Sequence, residues 1–465
     1  LPAGFIWQLM VDGAYNNGEP GFVYLDEINE HHSVDVEENP SDIIHATNPC
    51  AEQPLLNYEA CNLGHVNLSL MVDEDAEPFD QWLEGRLPDF EEFADGEHVR
   101  DYLEHALDTE QLAMTARNGA RFLDNVVTMS KFPLEEIEEV VHNQRKIGLG
   151  LMGFHQMLLQ MGIEYGSNRS YKVAREIMRL IDEHATEESR LLADERGVYG
   201  NWADSKYADP EQYPDWIEQH AHVDAEDVDG PIEIRNHKQT TIAPTGTTSM
   251  IGNTTGGCEP LYNVAYFKNV GDDIQGDEML VEFDDYFLDT LEANGISPDA
   301  VREEATELMM NNDFDGVDDL DTVPDNIARL FVTTEDLSVE QHIRVQAAFQ
   351  EYCSSSISKT LNMANDVELD DVSDAIDLAL QLGIKGATIY RVNSRSEEVK
   401  TTSVTGGGVT VPEADADTLV DEVTGRLDED ELDDETREAL VDALGVEDEP
   451  TSVATDDAPI SLSQD

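Results

Sequence analysis

Apolar residues recur along the chain at helical and at strand spacings, and the two spacings alternate. Phe5, Ile6, Leu9 and Met10 predict an amphipathic helix over 1–18, closed by the turn Asn16-Asn17-Gly18. Residues 21–25 read as a short apolar strand, and Val66, Leu68 and Leu70 alternate as a strand does. Leu103, Leu107, Leu112, Phe122 and Val126 predict a core-facing helical stripe within 102–129. Further helices are expected over 171–196, 339–356 and 373–382, with strands at 239–243 and 387–391. Residues 73–101 read as an acidic connector or insertion, and 272–338 as an acidic, mostly helical excursion. This alternation of types predicts an α/β fold over 1–400. From 401 to 465 the composition becomes that of an acidic linker and tail, partly disordered, with one helix expected over 428–444.

Charge changes that picture. The chain carries 101 acidic and 27 basic residues, a formal net charge of −74. Nucleic acid and anionic membranes are excluded as general partners, since both are polyanions. Such a charge often means disorder, yet 40% of residues are apolar and periodic, enough to build a core. The composition fits a folded protein with an acidic surface, adapted to a cytoplasm of molar salt, where the Debye length is about 3 Å. No run of about 20 apolar residues and no signal peptide is visible, so a cytoplasmic location is expected. The chain opens at Leu1, without an initiator Met and apparently inside a helix, as expected of a fragment or processed product. Acidic residues are missing from 140–163, 235–258 and 378–396. Those windows are either buried or face an anion.

The most informative stretch is 48–61. Asn48, Cys50 and Glu52 alternate, which in an extended segment would put an amide, a thiol and a carboxylate on one face; Cys61 follows eleven residues after Cys50. A carboxylate beside a thiol raises its pKa and disfavours thiolate nucleophilic catalysis. A cysteine used as a radical needs no thiolate, only a hydrogen-atom acceptor and a nearby base. The spacing permits this, and equally permits a loop with two ordinary cysteines. Pro244-Thr245-Gly246-Thr247-Thr248-Ser249 follows the strand at 239–243 and predicts a helix start, either an anion site or an ordinary N-cap turn. Gly148-x-Gly150-x-x-Gly153 matches a dinucleotide fingerprint in form only and reads as close helix packing. Four cysteines without a C-x-x-C pair, and an isolated His31-His32, make neither a disulfide framework nor a metal site.

Taken together, these motifs resemble ribonucleotide reductases. Asn48-Pro49-Cys50-x-Glu52 with Cys61-Asn62-Leu63-Gly64 is similar to that family's finger loop. Residues 243–249 followed by Gly257-Cys258-Glu259-Pro260 are similar to its substrate-phosphate turn. Arg145–Gly153 with Phe154, Ser358-Lys359-Thr360 and Gly383-Ile384-Lys385-Gly386…Tyr390-Arg391 follow in the family's order. The resemblance spans residues 5–396. The eleven-residue cysteine spacing, Thr-Gly-Thr in the turn, and Ile389 beside Tyr390 in place of a Tyr-Tyr pair resemble the adenosylcobalamin-dependent class.

That resemblance implies the second half of a ten-stranded α/β barrel enclosing the finger loop, with helical insertions and the acidic tail. It implies Cys50 as thiyl radical, Glu52 as proton acceptor, Asn48 on the ribose hydroxyls, and Cys61 as one of two reducing cysteines. Pro244, Thr245, Gly246, Thr247, Thr248 and Ser249 would hold the substrate phosphates, and Tyr390 would line the site or cofactor cavity. Cys258 and Cys353 are read as structural. The implied partners are a ribonucleoside di- or triphosphate, an upstream half-barrel segment, a thioredoxin- or glutaredoxin-like reductant, and a second copy in a homodimer. Two rival readings are an iron- or manganese-dependent reductase large subunit and a non-catalytic regulatory half.

Overall fold

The computed structural model describes residues 2–73, 75–84, 96–268, 280–311, 313–365, 367–392, 394 and 400–401. The acidic tail, with its expected helix over 428–444, lies outside them. The chain divides into two compact units, 1–10 with 410–465, and 11–409. Among the described residues the first unit holds only the opening turns of α1 (Ala3–Asn17).

The second unit is built on a row of parallel extended segments. Before the row come β1 (Phe22–Val23), α2 (Leu25–Glu30), and a hairpin of β2 (Ala46–Thr47) and β3 (Pro54–Leu55). The row opens with β4 (Leu63–Asn67). After α3 (Phe79–Leu83), α4 (Gly96–Ala106), α5 (Thr109–Met129) and α6 (Glu135–Gln144) comes β5 (Gly148–Met152), paired parallel to β4 with Leu63 opposite Gly148. Residues 238–243 lie along the other side of β5, through Leu149 N–H to Gln239 O (2.8 Å) and Thr241 N–H to Leu149 O (3.1 Å). Ile242 in turn bridges Ile357 in parallel. The chain from Ile357 runs into β8 (Thr360–Met363), which pairs parallel to β9 (Gly386–Arg391); β1 closes that edge antiparallel. Five parallel segments thus stand side by side, and no closed sheet forms among the described residues.

Between these strands the chain makes α7 (Phe154–Met161), α8 (Asn168–Arg196), α9 (Pro214–Ala221) and α10 (Gly246–Ile251). Then follow β6 (Ala265–Lys268), β7 (Leu280–Phe283), α11 (Asp285–Ala293), α12 (Pro298–Asn311), α13 (Asp325–Ala328) and α14 (Val339–Gln350), with α15 (Leu369–Gln381) before β9 and β10 (Lys400–Thr401) after it. Helices α5, α7, α8 and α14 bury their apolar faces with β4 and β5 in one core. The excursion 261–331 has a core of its own around Phe267, Phe287, Leu291, Val301, Met309 and Phe331.

The helix expected within 102–129 is two helices. Asp108 interrupts it and caps the second by accepting the Gln111 N–H at 2.8 Å. The buried stripe of α5 is Leu112, Ala116, Ala120, Leu123 and Val127, whereas Phe122 is 65% exposed. A 100° step per residue carries Phe122 off the face that Leu123 shares with Ala116. The alternation Val66, Leu68, Leu70 also stops early. The strand ends at Asn67, a 3₁₀ turn follows, and Leu70 faces out.

Correction is needed at the glycines. Gly148 and Gly150 lie in a wholly buried strand, not in a helix contact. A Cβ on Gly150 would stand 2.2 Å from the Thr241 carbonyl oxygen, and one on Gly148 would stand 2.6 Å from Gln53 Nε2. Gly150 lets backbone meet backbone between β5 and 238–243, while Gly148 leaves room for the side chains of Gln53, Leu63 and Thr241. The acid-free windows are explained mainly by burial, because β5, 236–243 and much of β9 are interior.

Candidate functional site

Residues 48–53 form the loop joining β2 to β3. Asn48 closes it twice: its N–H donates to Gln53 O, and its Oδ1 accepts the Gln53 N–H, both at 3.0 Å. Ala51 N–H donates to Asn48 O at 3.0 Å, and Ala51 has φ +65°. The segment is therefore a tight turn and not the extended run that alternation suggested. Asn48, Cys50 and Glu52 share no strand face. The turn instead exposes Cys50 at its tip and buries Glu52 to 2% exposure.

Glu52 is anchored to the middle of the parallel row. Its carbonyl accepts from the Thr241 hydroxyl at 2.7 Å and from Ser356 N–H at 3.0 Å. A Cβ added at Gly386, the first residue of β9, would stand 3.6 Å from Ala51 Cβ. The cysteine loop thus lies across residues 241, 356 and 386, from three neighbouring segments. Within this packing the Glu52 Oε2 is buried and makes no hydrogen bond to a described residue. A buried carboxylate oxygen ordinarily accepts a hydrogen bond, so this one has acceptor capacity in hand.

Both thiols feel that carboxylate. Partial burial pushes the Cys50 thiol up, and the charge of Glu52 adds to it. Burial pushes Cys61 up to about 11; Lys146 opposes this, while Glu59 and Glu52 reinforce it. Cys50, Glu52 and Cys61 are thus brought into one electrostatic environment, and both sulfurs are held as thiols. That favours hydrogen-atom chemistry over thiolate attack.

Lys146 and Glu59 escaped the sequence reading. They form an ion pair of 2.7 Å with both side chains almost wholly buried. The one available signal was a lysine inside the acid-free window 140–163. Neighbouring Arg145 is equally buried, bonded to Asp124 Oδ1 at 2.6 Å. The His31-His32 pair is not isolated. His31 Nδ1 lies 3.2 Å from His220 Nε2, and the His32 and His237 rings are 5.0 Å apart.

The hydroxyl-rich turn begins three residues beyond Thr241. Thr245, with φ +53°, is the N-cap of α10, and its Oγ1 accepts the Gly257 N–H at 2.6 Å. Ser249 is also turned inward, and its hydroxyl donates to Gly246 O at 3.3 Å. Pro244, Gly246, Thr247 and Thr248 face out. Glu259 ties the following loop to β8, with Oε2 2.5 Å from Lys359 Nζ and Oε1 accepting the Thr360 N–H at 2.7 Å. Tyr390 is half-buried in β9, four residues beyond Gly386 and in register with Asn362. Cys258 and Cys353 are fully buried, each pushed up to about 12 chiefly by burial.

Residues 1–390 match the family described as ribonucleotide reductase, barrel domain. A vitamin B12-dependent ribonucleoside-diphosphate reductase of Thermoplasma acidophilum is 33% identical over 401 residues, covering 86% of this chain and 44% of the relative. One of Mycobacterium tuberculosis is 31% identical over 399 residues, covering 86% and 47%. The chain thus spans a little under half the length of these relatives. Among solved structures, the Actinobacillus ureae class Id ribonucleotide reductase alpha subunit superposes with a TM-score of 0.58 at 19% identity, over 83% of this chain and 61% of that one.

Proposed function

This chain belongs to the ribonucleotide reductase family, and from that premise we propose that it carries the thiol chemistry of an adenosylcobalamin-dependent ribonucleoside-diphosphate reductase. The observation that carries the reading is the turn at 48–53, which exposes Cys50 at its tip while burying Glu52 with an Oε2 that bonds to no described residue. Diphosphates are the proposed substrates because both relatives described above are named for them.

The residues divide the work. Cys50, as a thiyl radical, takes the ribose 3′-hydrogen, a nearly balanced exchange between S–H and C–H bonds. Glu52 Oε2 takes the 3′-hydroxyl proton. Asn48, whose Oδ1 is committed to the Gln53 N–H, offers its amide nitrogen to the ribose hydroxyls. Thr247, Thr248 and the free N–H groups at the start of α10 receive the phosphates, with Thr245 and Ser249 holding the turn's shape. Cys61 and a second thiol give two electrons and two protons to the substrate. The C2′–OH leaves as water, a C2′–H replaces it, and the two sulfurs become a disulfide. Glu52 then returns the proton to the 3′-oxygen and Cys50 returns the hydrogen atom to C3′, becoming a thiyl radical again. A dithiol reductant of the thioredoxin type then restores them.

Adenosylcobalamin, when bound, supplies the unpaired electron. The site fits a radical source that approaches from outside the chain, because the Cys50 sulfur is open at the hairpin tip. Beside Tyr390, which would line that approach, stands Ile389, 1% exposed and packed in β9. An aliphatic there offers no tyrosine pair for an internal relay. The five parallel segments would be half of a ten-stranded barrel completed by an upstream segment, and the length of the relatives leaves room for one. A homodimer of the completed enzyme belongs to the same proposal.

Deoxynucleotide formation by the completed enzyme, with adenosylcobalamin and a dithiol, is the test. Cys50→Ser should abolish product while nucleotide binding persists. Measurable product from the pure variant would remove Cys50 from the mechanism.

A further inference from the structure

Lys146 sits where a charge would matter most to Cys61. The ladder of β4 and β5 starts with Leu63 opposite Gly148, and Gly148 N–H donates to Asn62 O at 3.0 Å. Continued back by two residues, this register sets Cys61 opposite Lys146. The Lys146 ammonium bonds the Pro54 carbonyl at 2.5 Å and Glu59 Oε2 at 2.7 Å. Glu59 Oε2 also accepts the Leu56 N–H at 2.9 Å. The pair therefore grips the leg of chain that runs from the cysteine loop to Cys61. Lys146 is 1% exposed and Glu59 8%.

We propose that Glu59 is a positioning residue that withholds the charge of Lys146 from Cys61, so that the resting enzyme keeps this sulfur protonated while the ion pair fixes its place. The proposal rests on the reading of Cys61 as a reducing thiol. A thiol that is to deliver a proton along with its electron must still carry its hydrogen when substrate arrives. A bare ammonium opposite Cys61 would strip that hydrogen by favouring the thiolate. Paired to Glu59, the same ammonium holds the backbone while the carboxylate offsets part of its pull on the thiol, and burial supplies the largest part of the rise. The charged groups facing Cys61 are Lys146 from the start of β5, Glu59 from its own leg, and Glu52 from the loop; their combined field with burial leaves the thiol raised.

Alkylation of Cys61 by iodoacetamide tests this on the 465-residue chain without turnover, so its failure is distinct from failure of the reductase reading. Only thiolate reacts. The Cys61 rate is followed by peptide mass spectrometry in molar KCl at pH 8.5, with Cys50 as the internal reference. Glu59→Gln keeps the shape and an acceptor for Leu56 N–H and Lys146, but removes the negative charge. It should speed Cys61 about tenfold relative to Cys50, one unit of thiol pKa. Adding Lys146→Gln to that variant should reverse the gain. Mere loosening of the hairpin would move both variants the same way, with the double at least as fast as the single. An unchanged Cys61 rate in Glu59→Gln, or a double variant as fast as the single, overturns the proposal. The Glu59→Gln arm stands by itself if the double variant fails to fold.

Discussion

Acid should unfold this chain well before its carboxylates titrate. His32, His155, His237 and His342 are completely buried. His32 Nδ1 accepts the Val34 N–H at 2.8 Å, and His155 Nδ1 accepts the Leu261 N–H at 2.9 Å. His342 Nδ1 faces the Lys359 ammonium at 3.2 Å, which can only donate. Those three nitrogens are occupied as acceptors, so the rings cannot take a second proton without breaking a bond. His237 Nδ1 pairs with the Ser33 hydroxyl at 2.6 Å. Burial pushes His155 down to about 3 and the other three well below the usual histidine range, with nearby lysines adding to it for those three. Their folded pKa values lie below the unfolded ones, so the stability they contribute is whole above about pH 6.5 and is lost as pH falls. By pH 5.5, about one unit below the unfolded histidine value, each costs on the order of 1 kcal/mol and the four together several kcal/mol, a large share of the stability of many domains. Glu27, Asp42 and Asp284, raised chiefly by burial, act in the opposite direction and offset part of this. The assay is proton uptake on urea unfolding in molar KCl at pH 5.5, for the native chain and for His155→Gln. The glutamine can still accept the Leu261 N–H, so the variant should take up about one proton fewer. Equal uptake by the two proteins would show that His155 is already protonated when folded, and would refute the reasoning.

Two further outcomes follow from the fold. Gly150→Ala places a Cβ 2.2 Å from the Thr241 carbonyl oxygen, backbone that cannot swing away. It should cost about 3 kcal/mol or more and lower the thermal midpoint by several degrees, and a midpoint within one degree of native would refute the close-packed ladder. The net charge of −74 should make folding depend on salt. The melting temperature should rise with KCl into the molar range as self-repulsion is screened, and a flat or falling curve would contradict it.

The residues of the proposed site could be named from the sequence, but their geometry could not. Asn48, Cys50, Glu52 and Cys61 drew notice by their close spacing, which equally permitted an ordinary loop, and were assigned roles only through the resemblance to the family's finger loop. Their alternation misled, since Asn48 closes a turn whose left-handed residue, Ala51, carries no local signal of it. Gly148 and Gly150 stood out, but only the tertiary structure could tell a strand squeezed between two neighbours from a helix contact. The histidine pair looked isolated because its partners, His220 and His237, lie about two hundred residues away in sequence.

Lys146 shows a signal that composition did hold. The chain has nine lysines in 465 residues. Five of them, Lys146, Lys206, Lys238, Lys359 and Lys385, are buried. Lysine is ordinarily among the residues least often buried, so this distribution is inverted. The strongly acidic composition accounts for part of the inversion, since such a surface has little use for exposed ammonium groups. Burial has to explain the rest, because a buried ammonium is retained only where specific acceptors repay its desolvation. Lys385 donates to the Ser355 carbonyl at 2.8 Å, Lys238 to that of His31 at 2.6 Å, and Lys206 to that of Glu30 at 2.9 Å. Lys359 binds Glu259, and Lys146 binds Glu59. Each ties together segments far apart in sequence. Two of these ties, Lys146 to the cysteine hairpin and Lys359 to the loop after the hydroxyl turn, hold the segments on which the proposed chemistry depends. In a chain so depleted of lysine, a lysine within an acid-free window therefore marks an interior tie rather than a solvated surface charge.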